Sequence, residues 1–160
     1  MWTIIKFNKN NLEILKKDLI KKLGDDLKIY SPRISVQDYK KNKIINKEHA
    51  LLGDYLFCFH NKFANPDIIS SLKFSRGLKY FLDGFAGSQE EIKDFILKCK
   101  SSENRDGYLT KNFFELYLNS KYKFQNGPFT NMIFKIIELQ KDKIIILVGN
   151  IKTTIKKNDF

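Results

Sequence analysis

The residues of this sequence best suited to catalysis are its two histidines and two cysteines, His49, His60, Cys58 and Cys99. Hydrolytic enzymes need a nucleophile beside a base, and a zinc site needs closely spaced thiolate or imidazole ligands. Neither histidine has a recognisable nucleophile or metal-ligand motif nearby, and the cysteines are far apart in the chain. We therefore predict that the protein is not an enzyme, that it holds no metal, and that both cysteines are small buried side chains.

Binding chemistry is better represented, because the 160 residues carry a formal net charge of +11. A basic surface gains from counterion release when it meets a polyanion, which makes nucleic acid an expected partner. However, only Arg33, Arg76 and Arg105 of the 29 basic residues are arginines. A composition rich in lysine, asparagine and isoleucine is also what an AT-rich coding sequence produces, so charge alone leaves both explanations open.

Arg76 is the most specific candidate for a nucleic-acid contact, since it lies between a serine and a glycine at a predicted turn into a strand. A guanidinium forms two parallel hydrogen bonds to a phosphate or to a guanine edge, which an ammonium does less well. The alternative role of Arg76 is a surface salt bridge.

Hydrophobic spacing predicts the elements that position these residues. Leucines at positions 12, 15, 19 and 23 recur at helical spacing with lysines largely on the other face, and Gly24 ends this basic amphipathic helix. Strands are predicted within residues 2–7, 27–36, 50–60 and 78–82, with an exposed hairpin or loop at 37–48, a short helix at 66–72 and a helix opening at Ser88. This order predicts an α+β fold, an antiparallel sheet flanked by helices.

The C-terminal part has a different pattern. The turn signal Gly127-Pro128-Phe129 is followed by β-branched residues up to the run Lys143-Ile144-Ile145-Ile146-Leu147-Val148-Gly149. Short β-branched segments separated by turns bury their apolar faces best in a small barrel, which we predict here. The sequence has neither a long apolar run nor the pattern of a signal peptide, so we expect a soluble cytoplasmic protein.

Four segments together resemble the NusG family of transcription factors, and most closely its specialised RfaH-like paralogues. They are Trp2-Thr3-Ile4-Ile5, Leu51-Leu52-Gly53-Asp54-Tyr55-Leu56-Phe57, Ser75-Arg76-Gly77-Leu78-Lys79-Tyr80-Phe81-Leu82 and Gly127-Pro128-Phe129. They occur in the order of the family and with roughly its spacing. The resemblance implies a NusG-type amino-terminal domain at residues 1–100, a linker at 101–119 and a small SH3-like KOW β-barrel at 120–160.

The resemblance also implies what these parts bind. In the amino-terminal domain it assigns an apolar depression, formed by Leu52, Tyr55 and Phe57 with Phe81 as a supporting wall, to the clamp helices of the largest RNA polymerase subunit. Core packing is the alternative role for these side chains. The implied mechanism steadies the closed clamp and keeps upstream DNA annealed, which suppresses pausing and termination.

Non-template or upstream DNA is the second implied partner. The resemblance assigns its binding to the first helix and the loop before it, and with Ser75 and Arg76 of the predicted turn the candidate residues are Lys9, Lys16, Lys17, Lys21, Ser75 and Arg76. Ordinary solvated lysines are the alternative.

The KOW barrel is implied to recruit a small-subunit ribosomal protein or the termination factor Rho. No cofactor is implied, and we expect a bacterial, cytoplasmic monomer that associates with the nucleoid through polymerase and has no membrane contact. The alternative function is a ribosome- or RNA-associated KOW protein that does not bind polymerase.

RfaH-like proteins can also fold the KOW segment as a helical hairpin that masks the polymerase site. For this chain we predict the barrel as the resting state, because consecutive β-branched residues favour strands over helix.

Overall fold

The computed structural model of the protein describes residues 1–40, 43–110, 113 and 128–139. Within these ranges the strands are β1 (Trp2–Phe7), β2 (Lys28–Tyr30), β3 (Arg33–Lys40), β4 (Lys43–Ala50), β5 (Tyr55–Phe59) and β6 (Leu78–Phe81). The α-helices are α1 (Leu12–Leu23), α2 (Pro66–Leu72), α3 (Gln89–Ser101) and α4 (Pro128–Leu139), and short 3-10 helices cover Lys9–Asn11 and Asn61–Ala64. None of the helices described is both long and apolar enough to span a bilayer.

The central sheet has the strand order β2-β5-β1-β6, and its pairs are all antiparallel. β1 lies between β5 and β6, so that Lys6 is paired with Tyr55 on one side and with Tyr80 on the other. β3 and β4 form a separate two-stranded hairpin.

One face of the sheet is covered by α1 and α2. Ile5, Leu56 and Phe81 of the sheet share a buried cluster with the inward side chains of the two helices, Leu15, Leu19, Leu23 and Leu72. Helix α1 ends where Gly24 takes a φ of 112°, a conformation that favours glycine. Asn65 caps α2 by accepting a hydrogen bond from the Asp67 backbone, ahead of a proline in the first turn.

The other face is covered by α3 and α4. Ile4 and Phe57 pack in a second cluster with Ile92, Phe95, Ile96 and Cys99 of α3 and with Ile133, Ile136 and Ile137 of α4. The molecule is therefore a sheet between two helical layers, which confirms the predicted α+β class with antiparallel sheets.

The hairpin is longer than expected. The sequence predicted strands within residues 27–36 and 50–60 with a polar segment between them, whereas that segment itself extends β3 and β4, which pair from Arg33↔Ala50 to Lys40↔Lys43. The partner of β5 is instead the short strand β2, through Lys28↔Phe59. Backbone pairing therefore continues through a sequence too polar to show a strand pattern.

The C-terminal prediction is wrong for residues 128–139. Pro128 and Phe129, expected in a turn, begin α4, and the β-branched residues Ile133, Ile136 and Ile137, expected in the short barrel strands that follow this turn, are helical. Gly127 and residues 140–160, on which the rest of the barrel prediction depends, lie outside the described residues. Residues 128–139 are helical because the spacing of the three isoleucines places them on one helical face, where all three are buried. Burial of that face outweighs the β preference of its residues.

Candidate functional site

The four residues predicted to contact a protein partner divide between the two faces of the sheet. Leu52 and Phe57 belong to the cluster under α3 and α4, and Tyr55 packs against its edge. Phe81 is paired with Ile5 and points into the opposite cluster, where its ring lies 6.2 Å from that of Phe63. The structure therefore brings three of the four predicted residues together and leaves the fourth as a core residue of the other face.

The part of this face formed by Leu52 and Phe57, called here the covered half, is inaccessible to solvent. Both side chains are 0% exposed. The ring of Phe57 lies 5.8 Å from Phe95 and 6.1 Å from Tyr30, measured between ring centroids. In this conformation the core-packing role of Phe57 is the observed one, and Ile133 of α4 belongs to the same buried cluster.

The same face continues beyond the two helices into a part formed by Lys6, Tyr55 and Tyr80, called here the open half. The hydroxyl groups of the two tyrosines are 2.9 Å apart, and their rings meet edge to face. The Lys6 Nζ lies 4.9 Å from the ring centroid of Tyr55 and 5.7 Å from that of Tyr80, within cation–π distance. Tyr80 is 44% exposed, so this half presents aromatic rings with polar ends to solvent.

The electrostatics of the open half link its three side chains. Partial burial and the hydrogen bond with Tyr80 raise the pKa of Tyr55, and the hydrogen bond with Tyr55 raises the pKa of Lys6. Next to them Lys79 and Asp54 form an ion pair at 3.7 Å. Sequence reasoning missed Lys6 and Tyr80. The available signal was the alternation Trp2, Ile4, Lys6 in β1, which places a lysine at the end of an otherwise apolar row.

Arg76 is held by a carboxylate on α1. Its Nε and Nη2 donate to the two oxygens of Asp18 at 3.2 and 3.0 Å, and its backbone N–H donates to the same group at 3.2 Å. These bonds lower the pKa of Asp18 and raise that of Arg76. The surface salt bridge considered as an alternative is therefore present, on a side chain that remains 74% exposed.

The loop that carries Arg76 is docked on the start of α1. The Asn8 N–H donates to the Gly77 carbonyl at 2.8 Å, and a Cβ at Gly77 would lie 2.8 Å from the Cβ of Asn11. Gly77 also has a φ of 86°, so both the close approach to Asn11 and the backbone conformation require glycine. Ser75, a predicted DNA contact, is buried, and its hydroxyl accepts a hydrogen bond from Lys22 Nζ at 3.0 Å. Its visible role is to position that lysine.

The predicted lysines lie where expected, on and before α1. Lys17 and Lys21 are one turn apart and exposed, whereas Lys16 bonds Glu13 at 2.8 Å. Lys9 and Lys16 also line a groove of about 790 Å³ whose other basic lining residues are Arg33 and Lys100. Basic groups thus follow α1 from its preceding loop to the Arg76 loop.

Three of the side chains considered for catalysis, Cys58, Cys99 and His60, are buried in the fold. Cys58 and Cys99 are free and buried, and burial raises the pKa of both thiols far above the usual range. His60 Nε2 lies 2.9 Å from Asp26, and its Nδ1 accepts the Lys62 N–H. Among the described residues, no group of three or more histidine, cysteine or acidic side chains is arranged to hold a metal.

The covered and open halves of one sheet face, together with the basic surface along α1, are therefore the candidate functional surfaces. The chain matches no protein-family model, and comparison with curated protein sequences gave no match.

Proposed function

We propose that this protein is a transcription elongation and antitermination factor that resembles the RfaH-like branch of the NusG family. Its polymerase-binding surface is the sheet face that contains Leu52, Tyr55 and Phe57, and the partner is the pair of clamp helices on the largest polymerase subunit. The basic surface along α1 binds the exposed DNA strand. The four sequence segments described above, in family order, are the first support for this proposal.

The observation that carries the proposal is the position of α4. This helix comes from the C-terminal segment, yet its Ile133, Ile136 and Ile137 are buried with Phe57 and Leu52. The buried cluster that contains the face assigned to a helical partner thus already includes an apolar helix face from the chain itself, packed with α3. An apolar sheet surface of this kind fits an amphipathic helix by ridge packing and aromatic contact, which are also the features of protein interfaces.

In the proposed mechanism, α4 leaves the covered half and the clamp helices take its place. The amino-terminal part then bridges the polymerase cleft and holds nearby DNA, which suppresses pausing and termination. None of these steps uses a cofactor. Because α4 and the clamp helices compete for one surface, the occupancy of the complex depends on the difference between their binding free energies.

The C-terminal segment has a second state in this proposal. Once α4 is released, residues 120–160 form the KOW barrel and recruit a small-subunit ribosomal protein or Rho. The sequence supports this because the run Ile144-Ile145-Ile146 strongly favours strands. In this proposal a segment with both a helical amphipathic face and a strand-favouring run has two packings, one helical and one of strands.

The test measures binding of the full chain to immobilised bacterial RNA polymerase. Ile133→Ala weakens the packing of α4 and is expected to tighten polymerase binding, whereas the double variant Tyr55→Ala/Tyr80→Ala is expected to weaken it. Leu97→Ala, on an exposed part of α3, is the matched control. Weaker binding by Ile133→Ala would show that α4 supports the site instead of covering it.

The same protein preparations distinguish the proposed function from the alternative function. Sedimentation with ribosomes and no affinity for polymerase in any variant would replace the proposal with a ribosome- or RNA-associated protein.

A further inference from the structure

Phe74 is the most exposed large apolar side chain of the described residues, at 87%. It lies between α2 and β6, where Leu72 and Ser75 on either side of it are buried. Burial of these neighbours turns Phe74 outward. Because its ring makes little contact with the fold, packing does not account for an aromatic residue at this position.

The backbone that presents Phe74 is held by hydrogen bonds on both sides. The Ser75 N–H donates to the Leu72 carbonyl at 2.9 Å, and the Leu78 N–H donates to the Ser75 carbonyl at 3.1 Å. The Gly77 carbonyl is bonded to Asn8, as described above. The ring is therefore carried on a fixed turn, and a ligand that meets it does not have to order the loop.

The surroundings of Phe74 in this turn are basic. Lys73 precedes it and is exposed, Arg76 follows at two residues, and Lys22 reaches the turn through its bond to Ser75. Asp18 offsets part of this charge through Arg76. An exposed aromatic ring among cations matches a flexible polyanion that carries flat apolar groups, which is the chemistry of a single-stranded nucleic acid.

We propose that Phe74 is a stacking platform for an unpaired base of a single-stranded nucleic acid, with Lys22, Lys73 and Arg76 holding the adjacent phosphates. This inference rests on the nucleic-acid binding in the proposed function and assigns it a residue and a mode of contact. Stacking tolerates every base because each has a π face, so Phe74 contributes affinity with little sequence preference. In a duplex the bases are already stacked on one another, and Phe74 contributes nothing there.

The experiment titrates a fluorescein-labelled oligothymidylate with the full chain at several salt concentrations. Phe74→Ala is expected to weaken binding about five- to a hundredfold, the range for loss of one base–aromatic stack. Phe74→Tyr retains a ring and is expected to bind like the wild type, whereas Phe74→Leu is apolar without a π face and is expected to resemble alanine. Leu97→Ala is the control for loss of an exposed apolar side chain.

Salt dependence separates the ring from the charges. Phe74→Ala removes no charge and leaves the slope of log affinity against log salt unchanged, whereas Lys73→Gln reduces that slope by about 0.7. Thermal unfolding of each variant, expected to match the wild type, confirms that the fold is retained.

The outcomes distinguish this inference from the proposed function. Salt-dependent binding by the wild type with an equal affinity for Phe74→Ala would reject the stacking role and leave nucleic-acid binding intact. No binding of the oligothymidylate by the wild type at low salt would reject both. The inference would also be overturned if Phe74→Ala lost as much affinity for a duplex as for the oligothymidylate. A loss of affinity by Phe74→Ala only for vesicles of phosphatidylcholine and phosphatidylserine in equal parts would overturn it as well.

Discussion

The covered and open halves of one sheet face differ in the free-energy cost of exposing them to water. Phe57 and Leu52 have no polar group to offer, so their exposure would cost the full transfer free energy of large apolar side chains. Tyr55 and Tyr80 carry hydroxyls that bond one another, and Lys6 lies over both rings. The open half can therefore remain in water without a covering helix, whereas the covered half needs either α4 or a partner.

This difference gives the two halves different roles in the proposed complex. The open half is available in the conformation described, and a polymerase helix can contact it before α4 moves. The covered half adds apolar contact only after α4 has left.

The largest expected effect is on folding. Phe57→Ala leaves a cavity beside Phe95 and Tyr30 and should lower the free energy of unfolding by about 3–5 kcal/mol. Tyr55→Ala, at the edge of the same cluster, should lower it by less than about 2 kcal/mol. Urea unfolding followed by circular dichroism measures both. Equal losses would mean that the open half is as much a part of the core as the covered half.

An intermediate effect is expected at alkaline pH. The pKa of Tyr55 is raised, mainly by burial, and that of Lys6 is raised by its bond with Tyr55. Burial raises the pKa of Tyr30, which packs on Phe57, far above its usual range. A raised pKa means that the folded state holds its proton more tightly than the unfolded state does. The resulting contribution to the free energy of unfolding is complete below the unfolded pKa of about 10 and is lost as pH rises.

The stability of the wild type should therefore fall above about pH 10, and Tyr30→Phe should reduce that fall more than Tyr55→Phe does. Urea midpoints measured from pH 8 upward compare the three proteins, with each variant referred to its own value at pH 8. The opposite ranking would place the stronger desolvation in the open half.

The smallest expected effect concerns the hydroxyl pair. Tyr80→Phe removes one hydroxyl from a partly exposed hydrogen bond, so the free energy of unfolding should fall by about 0.5–1 kcal/mol. A double-mutant cycle with Tyr55→Phe reports the coupling between the two hydroxyls directly. A coupling near zero would show that water replaces this bond without loss and that the two tyrosines act independently.

Several elements could be predicted from the sequence because their signals are local. The leucine spacing of α1 and its end at Gly24 follow from helical geometry and from glycine's access to positive φ. The position of Tyr55 and Phe57 on the same face of β5 follows from strand alternation. Lys6 and Tyr80 escaped prediction because the register that places them beside Tyr55 is a property of three strands together.

The prediction for residues 128–139 failed for a related reason. Ile133, Ile136 and Ile137 favour strands as individual residues, and their spacing also fits one face of a helix. Local preference between these conformations amounts to fractions of a kcal/mol per residue, whereas burial of each isoleucine side chain is worth about 1.5–3 kcal/mol. The surface available for burial therefore decides the conformation, and that surface is the buried cluster that α3 forms with Phe57.

By itself the sequence determined the α+β class, the basic first helix and the joint position of Tyr55 and Phe57, since each depends on spacing within one segment. Only the tertiary structure decided that Phe57 is covered and Tyr55 open, that Arg76 is held by Asp18, and that residues 128–139 are helical. These outcomes depend on contacts between segments far apart in the chain. Their free energies exist only once the fold has brought those segments together.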